Sequence, residues 1–252
     1  NVWICWWQGY DNMPDLCKAC YESVKKYMPS NVKVNLITKY NYYEFMDIPE
    51  YIINRLDNEE LTITQFSDWI RNYLLNAYGG FWIDSTILVT KPILNEFLYN
   101  RDFWSVKLPE EKINEFYIGQ KVSKCKWSGF IMKSAPNNPI NYFALEALSN
   151  HIRLHSNVID YFIHNFLIRL GYENCKVIRK EIDKIEINNV GIYDLSQYMN
   201  IKYDEKIWDN LTNNTSFFKL SWKEKYIEQD DNGNLTFYGY ILKMLEGNIN
   251  ND

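Results

Sequence analysis

The stretch TQFSDWIRNYLLNAYGGFWIDSTIL, Thr64–Leu88, decides the fold. Phe66, Trp69, Ile70, Tyr73, Leu74 and Ala77 recur at helical spacing. Thr64 is placed to cap that helix, because its hydroxyl can accept from a first-turn N–H. Gly79 suits the backbone geometry that ends a helix, and Gly80 lets the chain reverse. Phe81, Trp82 and Ile83 form an apolar run too short for a helix and suited to a strand covered on both faces. Asp84 follows where that strand emerges. In open α/β sheets the ligand crevice lies beyond the carboxyl ends of the strands. A carboxylate there can hold a hard cation, and the cation a diphosphate. Asp68 and Arg71, three residues apart, share a helix face edged by Leu75 and Tyr78, so the pair is expected to be partly solvated. An acceptor beside a guanidinium fork suits sugar hydroxyls or phosphate. The plainer readings are an intrahelical ion pair for Asp68 and Arg71 and a turn cap for Asp84.

Outward from this block, Val2–Trp7 reads as a buried first strand and Gln8–Asp11 as a polar turn. Pro14 opens a helix carrying Leu16, Cys17, Cys20, Val24 and Tyr27. Val32, Val34 and Leu36 alternate as a second strand. Strand, helix and strand in this order predict a parallel βαβ unit with a right-handed crossover. Two short helices are expected between Tyr40 and Leu56, broken near Pro49, and an acidic loop over Asp57–Leu61. A helical patch is expected around Glu96, and strands over Asp102–Lys107 and Trp127–Lys133. Gly119–Lys126 reads as a basic connection. Helices are predicted over Pro139–Arg153 and Val158–Leu170, the second ended by Gly171. Lys176–Ile187 reads as two strand-like pieces, Asn188–Asn214 as irregular, and Leu242–Leu245 as a last helical turn.

With 252 residues the chain has room for one large α/β domain or two small ones. No internal repeat or long linker divides it, so a single domain over 1–252 is expected, with a ligand-binding half near 1–90 and a second half near 91–252. The net charge of −5 argues against a nucleic-acid surface. No apolar run of spanning length occurs, and no signal peptide is visible. Five cysteines fit a reducing compartment better than a disulfide framework. Aromatic residues make up 17% of the chain; their rings suit sugar faces as well as a large core.

The block SDWIRNYLLNAYGGFWIDST resembles the S-D-x-x-R…G-G-(aromatic)-x-D-x-D region of GT-A glycosyltransferases of the family-32-like and capsular polysaccharide synthesis types. ICWWQG resembles that group's first strand and SFFKLSWK its closing segment. The resemblance implies an α/β, Rossmann-like GT-A fold: a mostly parallel central sheet, helices on both faces and additional C-terminal helices. It implies that Trp6 lies against the nucleotide base, with Gln8 in the same binding set. Ser67 and Asp68 would touch ribose and donor sugar, and Arg71 sugar or phosphate. Trp82 would line the donor pocket and Trp222 close over the diphosphate. Asp84, Arg71 and Asp68 form the implied catalytic set. Asp84 is the first acid of D-x-D, and Thr86 stands where the second acid, the usual metal ligand, is expected. Phe218 stands where relatives tend to place a polar residue such as His. Mn²⁺ or Mg²⁺ is therefore implied with a weakened ligand set of Asp84 and Thr86.

The leading expectation is transfer of a hexosyl group from a nucleoside-diphosphate sugar to a hydroxyl of a glycan or lipid-linked saccharide. The resemblance implies retention of configuration, in capsule or cell-surface polysaccharide assembly of bacterial type. It also implies a cytoplasmic setting, with peripheral association at the inner membrane face through the acceptor. The alternative is a degenerate transferase fold serving as a binding or scaffold subunit. A nucleotidyltransferase is a third reading, but GYDNMP is not a Gly-rich phosphate loop. On the acceptor side, Asp160 is the candidate: it either positions an acceptor hydroxyl or caps its helix. Cys17-x-x-Cys20 and His151/His155 have metal-ligand spacing without the surrounding ligands such sites need.

Overall fold

The computed structural model describes residues 1–94, 101–115, 118–155 and 157–249. The helical patch expected around Glu96 lies outside these residues. Among them, a five-stranded sheet has the order β2-β1-β3-β6-β5. Its strands are β1 (Val2–Cys5), β2 (Val34–Ile37), β3 (Gly80–Ile83), β5 (Phe103–Ser105) and β6 (Ile131–Ser134). β1 pairs parallel with both β2 and β3, whereas β6 is antiparallel to β3 and to β5. Four strands therefore run one way and β6 alone runs against them, the mostly parallel sheet expected. β4 (Ile87–Val89) leaves this sheet and pairs antiparallel with β7 (Phe217–Lys219).

Helix α1 (Asp15–Tyr27) links β1 to β2, and α2 (Glu50–Asp57) with α3 (Ile63–Tyr78) links β2 to β3. The two crossovers step in opposite directions, and right-handed connections then place α1 and α3 on opposite faces. On the α3 side lie α5 (Pro139–Leu154) and α6 (Ile163–Asn174). On the α1 side lie the β4–β7 ribbon and α9 (Phe237–Ile249). Two apolar cores result. The larger surrounds the sheet and includes Trp3, Phe66, Ile70, Phe81 and Trp82. The smaller joins Leu16 and Cys20 of α1 to Leu88, Phe218, Leu220 and Phe237.

Several element expectations change in the fold. The cap of α3 is Thr62 rather than Thr64. Its hydroxyl accepts from Gln65 N–H at 3.2 Å while Gln65 Oε1 accepts from Thr62 N–H at 3.0 Å. This reciprocal pair satisfies two donors at once and outcompetes a lone threonine. Gly79 does end α3, at φ +64°, and Gly80 follows at φ +100°. A Cβ on Gly80 would meet the Asn1 carbonyl, so the reversal into β3 requires glycine. Gly171 does not end its helix. α6 runs through it to Asn174, and the missing Cβ makes room for Phe143 and Ile178 of the neighbouring helices. Lys176–Asp183 is helix α7, not strand, since Ile178 and Ile182, four apart, both turn inward. The basic connection holds a short helix, α4 (Ile118–Ser123), and the stretch expected to be irregular holds α8 (Glu205–Asn213), capped by the Asp204 carboxylate. The last helical turn extends to the whole of α9.

Candidate active site

The parallel register Val2↔Phe81 and Trp3↔Trp82, carried forward, sets Cys5 beside Asp84 at the carboxyl edge of the sheet. Asp84 therefore enters the crevice between the ends of β1 and β3. Its backbone N–H donates to Phe130 O at 2.9 Å, which holds the turn against the β6 side. The Asp84 carboxylate is about a quarter exposed and heavily engaged. Oδ1 accepts from Trp82 Nε1 at 2.9 Å and from Arg71 Nη2 at 3.3 Å. Oδ2 accepts from Lys219 Nζ at 3.0 Å. Burial alone would raise this acid, but the Lys219 ammonium and Arg71 guanidinium together hold it below the usual carboxylate range.

Arg71 is the hub. It projects from α3 and is only 5% exposed. Nη1 meets Asp68 Oδ1 at 2.9 Å and His164 Nδ1 at 3.2 Å. The guanidinium lies 5.0 Å from the Trp82 ring centroid. Because arginine only donates, His164 Nδ1 must accept, and the imidazole proton sits on Nε2. That Nε2 and Arg71 Nε are buried without a partner among the described residues. Burial and the adjacent guanidinium push His164 well below its ordinary value, so the ring stays neutral. Gly129 permits this packing, since a Cβ there would come within 3.1–3.2 Å of His164 Nδ1 and Arg71 Nη1. The Asp68–Arg71 pair is thus buried, not partly solvated as its helix face suggested; α6 covers it through His164. Burial raises Asp68 to about 6 despite the Arg71 charge.

Just past the end of β1, Trp6 meets Trp222 edge to face, with ring centroids 5.9 Å apart. Trp6 Nε1 also donates to Asn12 O at 3.2 Å, and Gln8 is exposed on the turn beside it. Ser67 is half-buried on α3 next to Asp68. Asp160 lies in an exposed turn, where Oδ1 accepts from Phe162 N–H at 2.6 Å, a local turn two residues long that does not cap α6, whose N-cap, Phe162, has no side-chain cap bond. Burial, with the Asp68 and Asp84 charges behind it, raises the neighbouring Tyr161 above its ordinary value.

Lys219 is the residue that sequence reasoning missed. β7 pairs with β4 in the register Ile87↔Lys219, just past the Asp84–Thr86 turn. Besides Asp84, its ammonium donates to Thr86 Oγ1 at 2.7 Å. The available signal was a single lysine between Phe218 and Leu220 in an otherwise apolar segment. Phe218 itself is fully buried in the smaller core and faces away from the crevice.

The donor set does not fit a divalent cation. Mg²⁺ and Ca²⁺ take six or more oxygens, and both Asp84 oxygens and the Thr86 hydroxyl already accept from cationic or N–H donors. Among the described residues, no three His, Cys, Asp or Glu side chains gather at one point. Cys17 and Cys20 are free and buried on α1. Burial pushes Cys17 up to about 12, so it is a protonated thiol in contact with Ser85. His151 and His155 lie at the C-terminal end of α5 with ring centroids 4.8 Å apart and planes tilted by 32°.

A family model described as "Capsular polysaccharide synthesis protein" matches residues 1–241. The O-glycosyltransferase PaGT of Phomopsis amygdali is 24% identical over 124 residues, covering 46% of this chain and 29% of its own length. The apo structure of the WbbM bifunctional glycosyltransferase superposes at a TM-score of 0.51 and 11% identity, over 97% of this chain and 49% of that one. The PaToxG glycosyltransferase covers 73% of both chains at 18% identity, with a TM-score of 0.41, too loose to bear on the fold. The chain thus spans less than a third of the curated relative and about half of the WbbM structure.

Proposed function

We propose a reaction on the premise that this chain belongs to the capsular polysaccharide synthesis protein family and has a glycosyltransferase fold. It moves a hexosyl group from a nucleoside-diphosphate sugar to a hydroxyl of a glycan or lipid-linked saccharide. The observation that carries this reading is the convergence of Asp84, Arg71 and Trp82 at the sheet's carboxyl edge. The bond between the anomeric carbon and the diphosphate oxygen breaks with its electron pair, and the acceptor oxygen bonds to that carbon. Asp68 and Asp84 are both committed to Arg71, so neither is a free base. In the retaining course that the family resemblance implies, the acceptor proton passes to the departing phosphate oxygen, with acceptor and leaving group on one face. Asp84 and Asp68 fix the buried Arg71 fork, whose positive field favours the charge developing on the leaving group. Trp6 offers a ring face for the base, with Gln8 and Ser67 at the donor's edge. A lipid-linked acceptor would bring the chain to a membrane surface without a spanning segment; among the described residues no helix is long and apolar enough to cross one.

The test is Asp84→Asn, which leaves Arg71 and Lys219 without their shared anion. Transfer from a panel of sugar nucleotides is expected to fall by about 10²-fold or more while circular dichroism stays native. Undiminished transfer by a folded Asp84→Asn protein overturns the reading. UDP or GDP is expected to quench tryptophan fluorescence through Trp6 and Trp222. A non-catalytic binding subunit is the competing reading, motivated by Thr86 at the D-x-D position and Phe218 in the closing segment. Saturable donor binding with neither hydrolysis nor transfer across the panel would select it.

A further inference from the structure

Resting on the glycosyl-transfer reading, we propose that Lys219, beside the buried Arg71, takes the place of a divalent cation in this crevice. Its ammonium, rather than a bound divalent metal ion, neutralises the donor diphosphate and the charge it gains on leaving. Strand alternation dictates where this side chain goes. Phe218 and Leu220 are buried in the smaller core, so Lys219 between them projects to the other side. There it bridges Asp84 Oδ2 and Thr86 Oγ1, the two positions expected to ligate a metal. The Phe130 ring, 5.1 Å from Nζ to centroid, backs the ammonium on its apolar side. A quarter of the side chain remains open to the crevice. An ammonium has three donors, and oxygen acceptors among the described residues take two.

The same arrangement explains Thr86. A second carboxylate there strengthens the hold on a divalent ion, whereas a neutral hydroxyl suffices to orient a lysine. A divalent ion on Asp84 would have to displace Lys219 or sit against its charge. Covalently held, the ammonium is already in place when the carbon–oxygen bond breaks, the condition under which fixed charge lowers a barrier most.

The experiment measures UDP and GDP binding by calorimetry and by tryptophan fluorescence, in EDTA and in Mn²⁺. The wild-type chain is expected to bind with equal affinity, within about twofold, in both. Lys219→Met is expected to lose at least tenfold in affinity, unrescued by Mn²⁺, and Lys219→Arg to retain most of it. Thermal unfolding confirms that each variant is folded. Mn²⁺ titrated alone should leave the free-ion EPR signal undiminished by wild type, while Lys219→Asp, which restores a second acid, should bind it. Wild-type binding that disappears in EDTA and returns with Mn²⁺ overturns the role of Lys219 and leaves the transferase reading standing. Unchanged binding by Lys219→Met does the same. Absence of nucleoside diphosphate binding under every condition removes the transferase reading itself, and this inference with it.

Discussion

Asp68 carries an ionic strain that can be read in solution. It is 7% exposed, and burial raises it from an ordinary 3.8 to about 6. In this interval the folded state holds a proton that the unfolded state has released. The stabilising contribution is therefore complete below pH 3.8 and is lost as pH rises through 6. Two pH units at 1.36 kcal/mol each put the change at about 3 kcal/mol. His164, depressed by burial and Arg71, works in the opposite sense: the unfolded ring protonates below its ordinary 6.5 while the folded ring resists, so its contribution falls as pH drops. Urea unfolding of wild type and Asp68→Asn at pH 4 to 8 isolates the acid, because His164 is common to both. The difference in stability is expected to shift by about 3 kcal/mol towards the variant between pH 4 and pH 7. A difference constant with pH would mean that Asp68 is not desolvated. The interaction of Asp68 with Arg71 was legible from the i,i+3 spacing. Its burial was not, because the covering residue, His164, is 93 positions away in sequence.

At the scale of elements, α3 and β3 do most to place the site. α3 presents Arg71 inward, and the Gly79–Gly80 reversal sends β3 back so that Asp84 returns to the same end of the sheet. The capping box at Thr62 sets where α3 begins. Thr62→Ala removes the side-chain partner of Gln65 N–H and is expected to cost about 1 kcal/mol, a fall of roughly 2–4 °C in Tm for a chain of this size. Thr64→Ala, an exposed change in the first turn, should stay within about 0.5 kcal/mol. Differential scanning calorimetry of the two variants checks this, and the reverse order would assign the cap to Thr64. The helix-and-strand reading of Thr64–Leu88 held because period and glycine punctuation agree there. Lys176–Asp183 misled because its charges alternate along the chain. Its two isoleucines pack as a helix face only once α5 and α6 supply the surface they bury against.

At the scale of the molecule, the two cores divide the work. The larger fixes the sheet and α3, hence Arg71 and Asp84. The smaller fixes β7, hence Lys219. Phe237 is fully buried at the centre of the smaller core, in ring contact with Tyr198, Tyr203 and Trp208. Phe237→Ala is expected to cost about 3–5 kcal/mol. Nucleoside diphosphate binding should also weaken, measured by fluorescence titration well below the variant's Tm, because the strand that aims Lys219 loses its support. A variant that is destabilised yet binds as tightly as wild type would detach the smaller core from the crevice.

The amino-acid order alone determined the α/β class, the α3–β3 block and the emergence of Asp84 at a strand end, because period, helix caps and glycine reversals act between residues close along the chain. Local order also brought Asp68 and Arg71 to one helix face. Only the tertiary structure decided that α6 seals this pair and that Trp6 meets Trp222. It alone placed Lys219, 135 residues from Asp84, between that acid and Thr86. Such contacts depend on which strands pair and in what register. That choice is settled by the burial of two whole cores, and no short window of sequence contains both partners.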